Sequence, residues 1–378
     1  MRKLVALDMP ASNKFVDAIK RVWDNGDGFI PIDQRLPQKA KTVLLESIKP
    51  SQIIDSSGIS THLEGALPME DDQCLAMATS GTTGSPKIVI FTHDQVLASA
   101  NAVSNHLKVT SSDKWLCCLP VAHIGGLSVI LRALLLGNEL EVHGSFDAFN
   151  VSRAAANGAT LVSLVSTALA EIDPFIFRRI VLGGSRPPRQ IPENAVITYG
   201  LTESGSGVVY DGVPLPGVEV SISSRSEILL KGPMMATRLR SGKSIQDNHG
   251  WFHTNDAGRL TGVKLEVFGR MDEVINTGGE KVFPSEIESL LSSHPKISQI
   301  AVIGTADSKW GEAVTAVIVT NPSSEPPTLD EVREAVKSEL PPYYAPTRLQ
   351  IVDTMPTTNL GKIRKHLLKN QLNRSTQL

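Results

Sequence analysis

The chain contains little cysteine, little net charge and no long apolar run. Its three cysteines, Cys74, Cys117 and Cys118, show no CxxC spacing in 378 residues, so the sequence indicates neither a zinc site nor a disulfide framework. The formal net charge is only −2, so the chain lacks the broad positive field with which proteins attract nucleic acid or anionic membranes. We therefore expect small-molecule partners and no nucleic acid.

The apolar segments are too short or too interrupted for a secretion signal or a membrane span. Asp8 ends the apolar run of "MRKLVALDMP" after a few residues, and Arg132 lies in the middle of "GGLSVILRALLLG". A transmembrane helix needs about 20 consecutive apolar residues. The sequence thus predicts no membrane insertion and a cytoplasmic, reduced protein, and it leaves a homodimer open.

Short apolar runs alternate with helical patterns after a polar, weakly patterned stretch that extends to about residue 70. The alternating segments are "CLAMAT", a helix over 94–106, "WLCCLP", a helix over 127–136, "LEVH", "TLVSLVS", "IVLGG" and "VITYG". This alternation is typical of an α/β architecture with a buried, largely parallel sheet. We predict a large N-terminal α/β domain over 1–269, with mainly parallel sheets plus a β-rich segment, and a small mobile α+β domain over 270–378.

Hydroxyl side chains and glycines are concentrated between a predicted strand and a Pro-Lys pair. The segment comprises Thr79, Ser80, Gly81, Thr82, Thr83, Gly84 and Ser85. Hydroxyl donors, approachable backbone N–H groups and the nearby charge of Lys87 suit a polyphosphate, although a plain polar turn has the same composition. A P-loop is excluded because it requires Gly-Lys-Ser/Thr, whereas here Pro86 precedes Lys87 and Ile88 follows it.

The segment "TSGTTGSPK" resembles the phosphate-binding loop of the adenylate-forming superfamily, which comprises acyl-CoA synthetases, peptide-synthetase adenylation domains and luciferases. Five further segments match motifs of that superfamily in the same order, over residues 79–365. The resemblance implies ATP and CoA as co-substrates, Mg²⁺ as the cofactor and a carboxylic acid as the substrate. It assigns ATP binding in the first segment to Thr79, Ser80, Gly81, Thr82, Thr83, Gly84 and Lys87.

The second and third segments supply acyl-binding and nucleotide-binding residues by the same resemblance. In "LPVAHIGG", His123 would line the acyl pocket, although a lone histidine is more often structural. In "YGLTES", Tyr199 and Gly200 would contact the nucleotide, with the tyrosine stacked on adenine. Thr202 would touch the phosphate and Glu203 would hold Mg²⁺, a cation that prefers oxygen ligands.

The fourth segment and the start of the C-terminal region complete the nucleotide and CoA contacts. In "WFHTNDAG", Asp256 would bind the ribose hydroxyls, and Asn255 replaces the glycine that the family usually has. Asparagine tolerates positive φ better than most residues, so we expect the turn to survive. In "GRMDEVINTGGEKVFPSEIE", Arg270 would contact the nucleotide, Asp272 would be the hinge and Gly278–Gly279 would approach the pantetheine arm of CoA.

The last segment, "PTTNLGKIRK", matches the terminal motif that carries the catalytic lysine and assigns that role to Lys362. The family often has lysine where this chain has Thr357. Transfer of AMP from ATP to a carboxylate spreads negative charge over the α-phosphate, so Lys362, Thr202 and the Mg²⁺ held by Glu203 are the expected catalytic groups. The C-terminal domain would then swing about the hinge to admit the thiol.

Two longer stretches look like the compact bacterial 2-succinylbenzoate–CoA ligases of menaquinone synthesis. They are "LPVAHIGGLSVILRALLLGNELEV" and "YGLTESGSGVVYDGVPLPGVEV". The resemblance implies adenylation of the succinyl carboxylate, while the ring carboxylate needs donors because a buried unpaired carboxylate is costly. The candidates for that second contact are His123, Gly183, Gly184 and Ser204, with Ser185 or Arg186 as alternatives, and the sequence assigns no single arginine to it.

Three alternatives keep all or part of these motifs. Another aryl- or acyl-CoA ligase would change only the acyl pocket. An amino-acid-activating domain would ordinarily place an aspartate in that pocket and pass its product to a carrier protein. A non-catalytic nucleotide-binding regulator is disfavoured because both Lys362 and Glu203 are retained.

Overall fold

The structure is a computed structural model that describes residues 2–70, 72–79, 86–184, 187–188, 190–322, 324–357 and 363–375, without the side chains of 373–375. The chain separates into two units. The first contains 1–221, 229–254 and 260–265, and the second contains 222–228, 255–259 and 266–378. The domain boundary between 269 and 270 stays a prediction.

Helices form where the sequence has helical periodicity and capping residues. They are α1 (Asn13–Asp24), α2 (Gln38–Ile48), α3 (His93–Leu107), α4 (Ile124–Leu136), α5 (Ala148–Ala156), α6 (Ser166–Leu169), α7 (Pro284–Leu291), α8 (Leu329–Lys337) and α9 (Lys365–Ser375). Before α3, the Thr92 hydroxyl accepts the Gln95 N–H, and the Gln95 side chain accepts the Thr92 N–H. This capping box satisfies two backbone donors and fixes where α3 begins.

Most strands have two to seven residues, whereas Phe252–Thr261, Ile297–Asp307 and Gly311–Thr320 have ten or eleven. They are β1 (Leu4–Asp8), β2 (Gly28–Pro31), β3 (Gln52–Asp55), β4 (Ser60–His62), β5 (Gln73–Thr79), β6 (Lys87–Thr92), β7 (Lys114–Cys117), β8 (Glu139–Val142), β9 (Leu161–Leu164), β10 (Arg179–Leu182), β11 (Ala195–Gly200), β12 (Gly207–Tyr210), β13 (Val213–Pro214), β14 (Glu219–Ile222), β15 (Glu227–Lys231), β16 (Arg238–Leu239), β17 (Phe252–Thr261), β18 (Lys264–Arg270), β19 (Ile275–Thr277), β20 (Glu280–Val282), β21 (Ile297–Asp307), β22 (Gly311–Thr320) and β23 (Arg348–Ile351).

The described part of the first unit contains two seven-stranded sheets. One has the order β16-β6-β5-β2-β1-β3-β4, and the other, the second sheet, has the order β13-β12-β11-β10-β9-β7-β8. In the second sheet the strands from β8 to β11 are parallel, and β12 and β13 are antiparallel. The predicted α/β class with mainly parallel sheets is confirmed. A four-stranded sheet of order β14-β15-β17-β18 corresponds to the predicted β-rich segment.

Both faces of the second sheet are buried, as a parallel sheet requires. On one face, Leu116 and Cys118 pack with Val162 and with Val151 of α5. Residues alternate between faces along a strand, so Trp115 and Cys117 lie on the opposite face, where α4 packs. The three cysteines are free and buried.

The second unit has its own apolar core. β21 and β22 form a long antiparallel hairpin, β23 pairs in parallel with β22, and β19 pairs with β22 and with β20 in antiparallel fashion. α7 begins with Pro284, which suits the first helical turn, and buries Ile287 and Leu291 against Val332 and Val336 of α8.

The polar stretch before residue 70 is more regular than its pattern indicates. It contains β2, α2, β3 and β4. The four residues of β2 are all buried, which gives no alternation, and only Leu44 and Ile48 of α2 are buried, which gives a weak helical period. Among the helices in the described ranges, none is long and apolar enough to cross a membrane.

Candidate active site

A β-hairpin fixes the two ends of the predicted phosphate loop. Thr79 ends β5 and Lys87 begins β6, and the two residues are antiparallel partners, with the Thr79 hydroxyl 3.5 Å from the Lys87 carbonyl oxygen. Lys87 is exposed. The other predicted residues of this loop, Ser80, Gly81, Thr82, Thr83 and Gly84, lie outside the described residues. The charge of Lys87 therefore lies at the end of the predicted phosphate loop.

The segment "YGLTES" forms a strand end followed by a tight turn. β11 ends with Tyr199 and Gly200 at a shift of register, and Thr202–Ser204 form a 3₁₀ turn. Only glycine fits at position 200, because a Cβ there would lie 2.2 Å from the Ser206 carbonyl oxygen. Tyr199, Thr202 and Glu203 are half-buried, so all three are partly accessible to a ligand.

The Ser204 hydroxyl is fully buried and is bonded to main-chain groups. It accepts the Leu201 N–H at 2.8 Å, and it lies 2.8 and 2.7 Å from the carbonyl oxygens of Leu201 and Ser206. The N–H of Ala236 donates to the Glu203 carbonyl at 2.8 Å. These bonds fix the turn that carries Glu203, and a contact between Ser204 and the acid stays a prediction.

The predicted acyl residues lie at one edge of the second sheet. His123 follows β7, Gly183–Gly184 follow β10, and "YGLTES" ends β11. These strands are parallel, so their carboxyl ends share an edge, which is where ligands bind in open α/β sheets. A Cβ at Gly183 would lie 2.6 Å from the Thr198 hydroxyl oxygen, so the chain passes close to β11 here. The alternatives Ser185 and Arg186 lie outside the described residues.

An arginine far away in the sequence reaches His123. Nη2 of Arg35 lies 2.8 Å from Nε2 of His123, and Nε and Nη2 of Arg35 donate to the two Asp33 carboxylate oxygens at 2.8 Å each. Burial lowers the pKa of His123, and Arg35 lowers it further against the opposing charge of Asp33. No sequence pattern indicates this contact, because Arg35 lies 88 residues before His123, in the weakly patterned stretch.

Arg132 of α4 is a buried cation without an anionic partner among the described residues. Its exposed fraction is 3%, its guanidinium carbon lies 4.6 Å from the Trp115 ring centroid, and Nη2 lies 3.5 Å from the Ser128 hydroxyl. Within the described ranges, neither Nη1 of Arg132 nor Nε1 of Trp115 has a hydrogen-bond partner. Burial lowers the pKa of Arg132, but an arginine side chain keeps its proton in proteins. The two unpaired donors require an acceptor.

A cavity extends along α4 beside this guanidinium. Its lining includes Ile124, Ser128, Leu131 and Arg132 on the helix and Phe91, Ser99 and Gly205 on the facing segments. The other three helical residues lie four, seven and eight positions after Ile124, a spacing that places them on one face of α4. Ile124 and Arg132 lie eight positions apart, so the lining extends over about two turns of α4, roughly 12 Å along the axis, and Ile124 directly follows His123 in the chain. A charge in the middle of an apolar run was the sequence signal for Arg132.

In the second unit, Arg270 joins two other predicted site residues. Its Nη1 lies 3.2 Å from the Asp256 carboxylate, which is largely buried, and its Nε lies 3.4 Å from the exposed Asp272 carboxylate. The structure thus brings together the predicted ribose ligand, nucleotide contact and hinge residue. Their roles stay predictions.

Asn255, beside Asp256, has φ 57°, so the turn survives the replacement of glycine as expected. Replacing Asn255 with valine should lower the free energy of unfolding by about 1–2 kcal/mol, because a β-branched residue is strained in the left-handed region. Replacing Asn255 with glycine should leave the free energy of unfolding within a few tenths of a kcal/mol of the wild-type value. Urea unfolding midpoints test this, and equal midpoints for the valine variant and the wild type would contradict it.

The predicted CoA loop is a tight hairpin turn between β19 and β20. Gly278 and Gly279 have φ values of 59° and 89°, which suit a two-residue turn with two left-handed positions. A Cβ at Gly278 would lie 2.7 Å from the Trp310 ring, and the Gly278 N–H donates to the Trp310 carbonyl at 2.9 Å. Glycine is therefore required at position 278, and the approach to pantetheine stays a prediction.

Lys362 lies outside the described residues, but the flanking chain is fixed. Thr357 and Ile363 form an antiparallel bridge. Nζ of Lys365 lies 2.7 Å from Glu273 and 2.8 Å from Glu288. Burial alone would lower the pKa of Lys365, but the two carboxylates raise it. Lys365 is thus a structural cation that anchors the start of α9, unlike the role predicted for Lys362.

The donor set fits the predicted magnesium ion. In the part of the chain that the structure describes, no group of three or more His, Cys, Asp or Glu side chains could hold a metal by itself. Mg²⁺ commonly binds through one or two carboxylates together with substrate phosphates and several waters. The single carboxylate of Glu203, on a turn at the ligand edge of the sheet, suits that arrangement.

The chain belongs to the AMP-binding enzyme family. The family profile of the AMP-binding enzymes matches residues 29–235, and that of the AMP-binding enzyme C-terminal domain matches residues 286–362. The superfamily predicted from the motifs is confirmed.

Several curated relatives of this chain are 2-succinylbenzoate–CoA ligases. The chain is 36% identical over 332 residues to a probable 2-succinylbenzoate–CoA ligase of Mycobacterium tuberculosis, covering 79% of this chain and 85% of that one. It is 28% identical to the 2-succinylbenzoate–CoA ligase of Bacillus subtilis, covering 92% and 79% of the two chains. The structure of o-succinylbenzoate CoA synthetase from Bacillus subtilis, in complex with its acyl-adenylate intermediate, matches with a TM-score of 0.85 and 27% identity, covering 98% and 88%.

Proposed function

We propose that the protein is an AMP-forming ligase that adenylates 2-succinylbenzoate and transfers the acyl group to CoA. The products are 2-succinylbenzoyl-CoA, AMP and pyrophosphate. The names of the relatives support the reaction, and a solved relative of 26% identity from Bacillus subtilis contains ATP and a magnesium ion. The single observation that carries the choice of acid is the unpaired guanidinium of Arg132.

Arg132 supplies what a second carboxylate needs. 2-Succinylbenzoate has two carboxylates, and only one of them reacts, so the other is buried in the acyl pocket. A buried carboxylate without a partner and a buried guanidinium without a partner are each costly, and pairing them offsets both costs. A helical side chain leans toward the helix N-terminus, so Arg132 leans toward the sheet edge where His123 lies. An acid with one carboxylate would leave Arg132 unpaired.

In the first step, an oxygen of the succinyl carboxylate attacks the α-phosphorus of ATP, and the bond to the pyrophosphate oxygen breaks. Lys87 and the adjoining loop bind the phosphates, Tyr199 packs on the adenine, and Thr202 and Lys362 stabilise the charge that develops on the α-phosphate. Glu203 holds the magnesium ion, which supplies charge neutralisation for the phosphate oxygens. Asp256 and Arg270 orient the ribose.

In the second step, the CoA sulfur attacks the acyl carbon, and AMP leaves with the former carboxylate oxygen. The two steps need different groups at the same acyl carbon, because the lysine that serves the first step occupies the thiol path. Rotation about Asp272 withdraws Lys362 and brings Gly278–Gly279 to the pantetheine arm. The hairpin turn at these glycines presents bare backbone to the thiol arm.

The remaining predictions concern location and assembly. We place the reaction in the cytoplasm, which supplies both ATP and CoA and keeps the three buried cysteines reduced. A homodimer stays a prediction.

Mass detection of the thioester tests the proposed function. The purified chain is incubated with ATP, Mg²⁺, CoA and one acid, and we expect a CoA thioester from 2-succinylbenzoate and none from benzoate or hexanoate. Thioester from hexanoate or benzoate at equal rate would move the assignment to another acyl-CoA ligase. ATP binding without AMP release for every acid would support the non-catalytic regulator.

A further inference from the structure

We propose that Arg35 is a positioning residue that holds His123 as the neutral imidazole with its proton on Nδ1, so that His123 donates a hydrogen bond to an oxygen of the acid. Nη2 of Arg35 lies 2.8 Å from Nε2 of His123, a normal hydrogen-bond distance. The proposal rests on the proposed function, because the acid is taken to bind at His123. It adds a residue from the N-terminal part of the chain to the acyl site.

The chemistry of the guanidinium fixes the direction of this hydrogen bond. Arginine has only donors and keeps its proton in proteins, so Arg35 donates and Nε2 of His123 accepts. An imidazole nitrogen that accepts carries no proton, and the ring proton is then on Nδ1. Burial and the positive charge of Arg35 both lower the pKa of His123, which favours the neutral ring.

Asp33 holds the guanidinium in place. It accepts Nε and Nη2 of Arg35 at 2.8 Å each, and its Oδ1 also accepts the Arg35 backbone N–H at 3.0 Å. Burial alone would raise the pKa of Asp33, but the hydrogen bonds and charge of Arg35 lower it, so the carboxylate is ionised at neutral pH. Nη2 has two hydrogens, of which one goes to Asp33 and the other to His123. The bidentate pair thus sets the orientation of the donor that His123 receives.

Nδ1 is the ring nitrogen of His123 that Arg35 leaves available to a ligand. No described residue accepts from Nδ1, whereas Nε2 is occupied by Arg35. His123 is half-buried at the ligand edge of the second sheet, before the first residue of the cavity along α4. An Nδ1–H donor matches a ketone or carboxylate oxygen and rejects an ammonium or amide N–H group. The Asp33–Arg35–His123 set therefore favours an oxo acid over an amino acid.

Nitrogen-15 NMR of the imidazoles tests the tautomer without any substrate. The full chain is labelled at its nine histidines, and His123→Gln assigns the signal of His123. We expect Nδ1 of His123 to carry the proton in the wild type at neutral pH and Nε2 to gain it in Arg35→Met. A wild-type proton on Nε2, or an unchanged tautomer in Arg35→Met, would overturn the proposal.

Kinetics of acid-dependent pyrophosphate release test the consequence. Arg35→Met should raise the KM for 2-succinylbenzoate by about 5- to 15-fold, as expected for one lost hydrogen bond, with kcat and the KM for ATP unchanged. The double variant Arg35→Met/His123→Gln should have the same KM for 2-succinylbenzoate as His123→Gln alone, because the two residues act as one unit. Arg238→Met is the matched control, since it removes an exposed arginine–carboxylate pair with Glu70 in the same unit.

A parallel rise in the KM for ATP, or losses that multiply in the double variant, would indicate a structural role and overturn the proposal. These outcomes are separate from the proposed function. A wild type that forms no thioester from 2-succinylbenzoate would refute that function, whereas the tautomer is measured on the free protein.

Discussion

Replacing Arg132 with methionine is expected to raise the KM for 2-succinylbenzoate by about 30- to 1,000-fold, the cost of leaving a buried charge without its partner. The same change should leave the KM for 4-oxo-4-phenylbutanoate, which lacks the ring carboxylate, within about threefold of the poor wild-type value. The reason is that Arg132 pairs with the ring carboxylate alone. Methionine keeps an unbranched apolar stem against Trp115, so the packing of the buried face is largely preserved.

The measurement is the rate of acid-dependent pyrophosphate release for both acids with each variant. Arg153→Met is the control, because it removes an exposed arginine of α5 in the same unit. An equal rise in KM for the two acids, accompanied by a lower unfolding midpoint, would show that Arg132 only supports the core. In that case the choice of 2-succinylbenzoate would rest on the relatives alone.

Replacing Lys362 with alanine is expected to lower the rate of adenylation by about 100- to 1,000-fold or more, the usual effect of removing one donor to the charge of a transition state. Thioester formation from supplied 2-succinylbenzoyl-adenylate and CoA should stay within about threefold of the wild type. The difference follows from the roles proposed for the two steps, in which Lys362 contacts the α-phosphate in the first step and is withdrawn in the second.

Two separate half-reaction assays test this split. One follows pyrophosphate release from ATP and acid without CoA, and the other follows thioester formation from the supplied adenylate. Lys337→Ala is the control, since Lys337 is a surface lysine of the second unit paired only with Glu334. Equal loss in both half-reactions would refute the division of roles between the lysine and the CoA loop.

Much of the fold and the placement of the motifs follow from the sequence. Buried parallel strands have continuous apolar runs, and "WLCCLP" and "TLVSLVS" therefore identify β7 and β9 directly. The expectation that loops after such strands hold ligands places His123, Gly183 and Tyr199 at one edge. The stretch before residue 70 was less predictable, because its short strands and weakly amphipathic helix have no clear apolar period of their own and become buried by packing with the rest of the sheet.

The parts of the site that the sequence could not predict depend on distant pairs. Arg35 and His123 are 88 residues apart in the sequence, and no local pattern indicates their contact. Arg132 was visible as an isolated charge, but only the packed core shows that its Nη1 lacks a partner. The main-chain bonds of the Ser204 hydroxyl depend on the folded turn, and its contact with the acid stays a prediction.

The fate of the carboxylate oxygens tests the central claim most directly. 2-Succinylbenzoate labelled with oxygen-18 only in its succinyl carboxylate is incubated with the protein, ATP, Mg²⁺ and CoA, and the AMP, pyrophosphate and thioester are analysed by mass. We predict one labelled oxygen in AMP, one in the thioester and none in pyrophosphate, because the attacking oxygen leaves with AMP. Unlabelled AMP, or label that appears in inorganic phosphate with ADP as the other product, would contradict an acyl-adenylate mechanism for this chain.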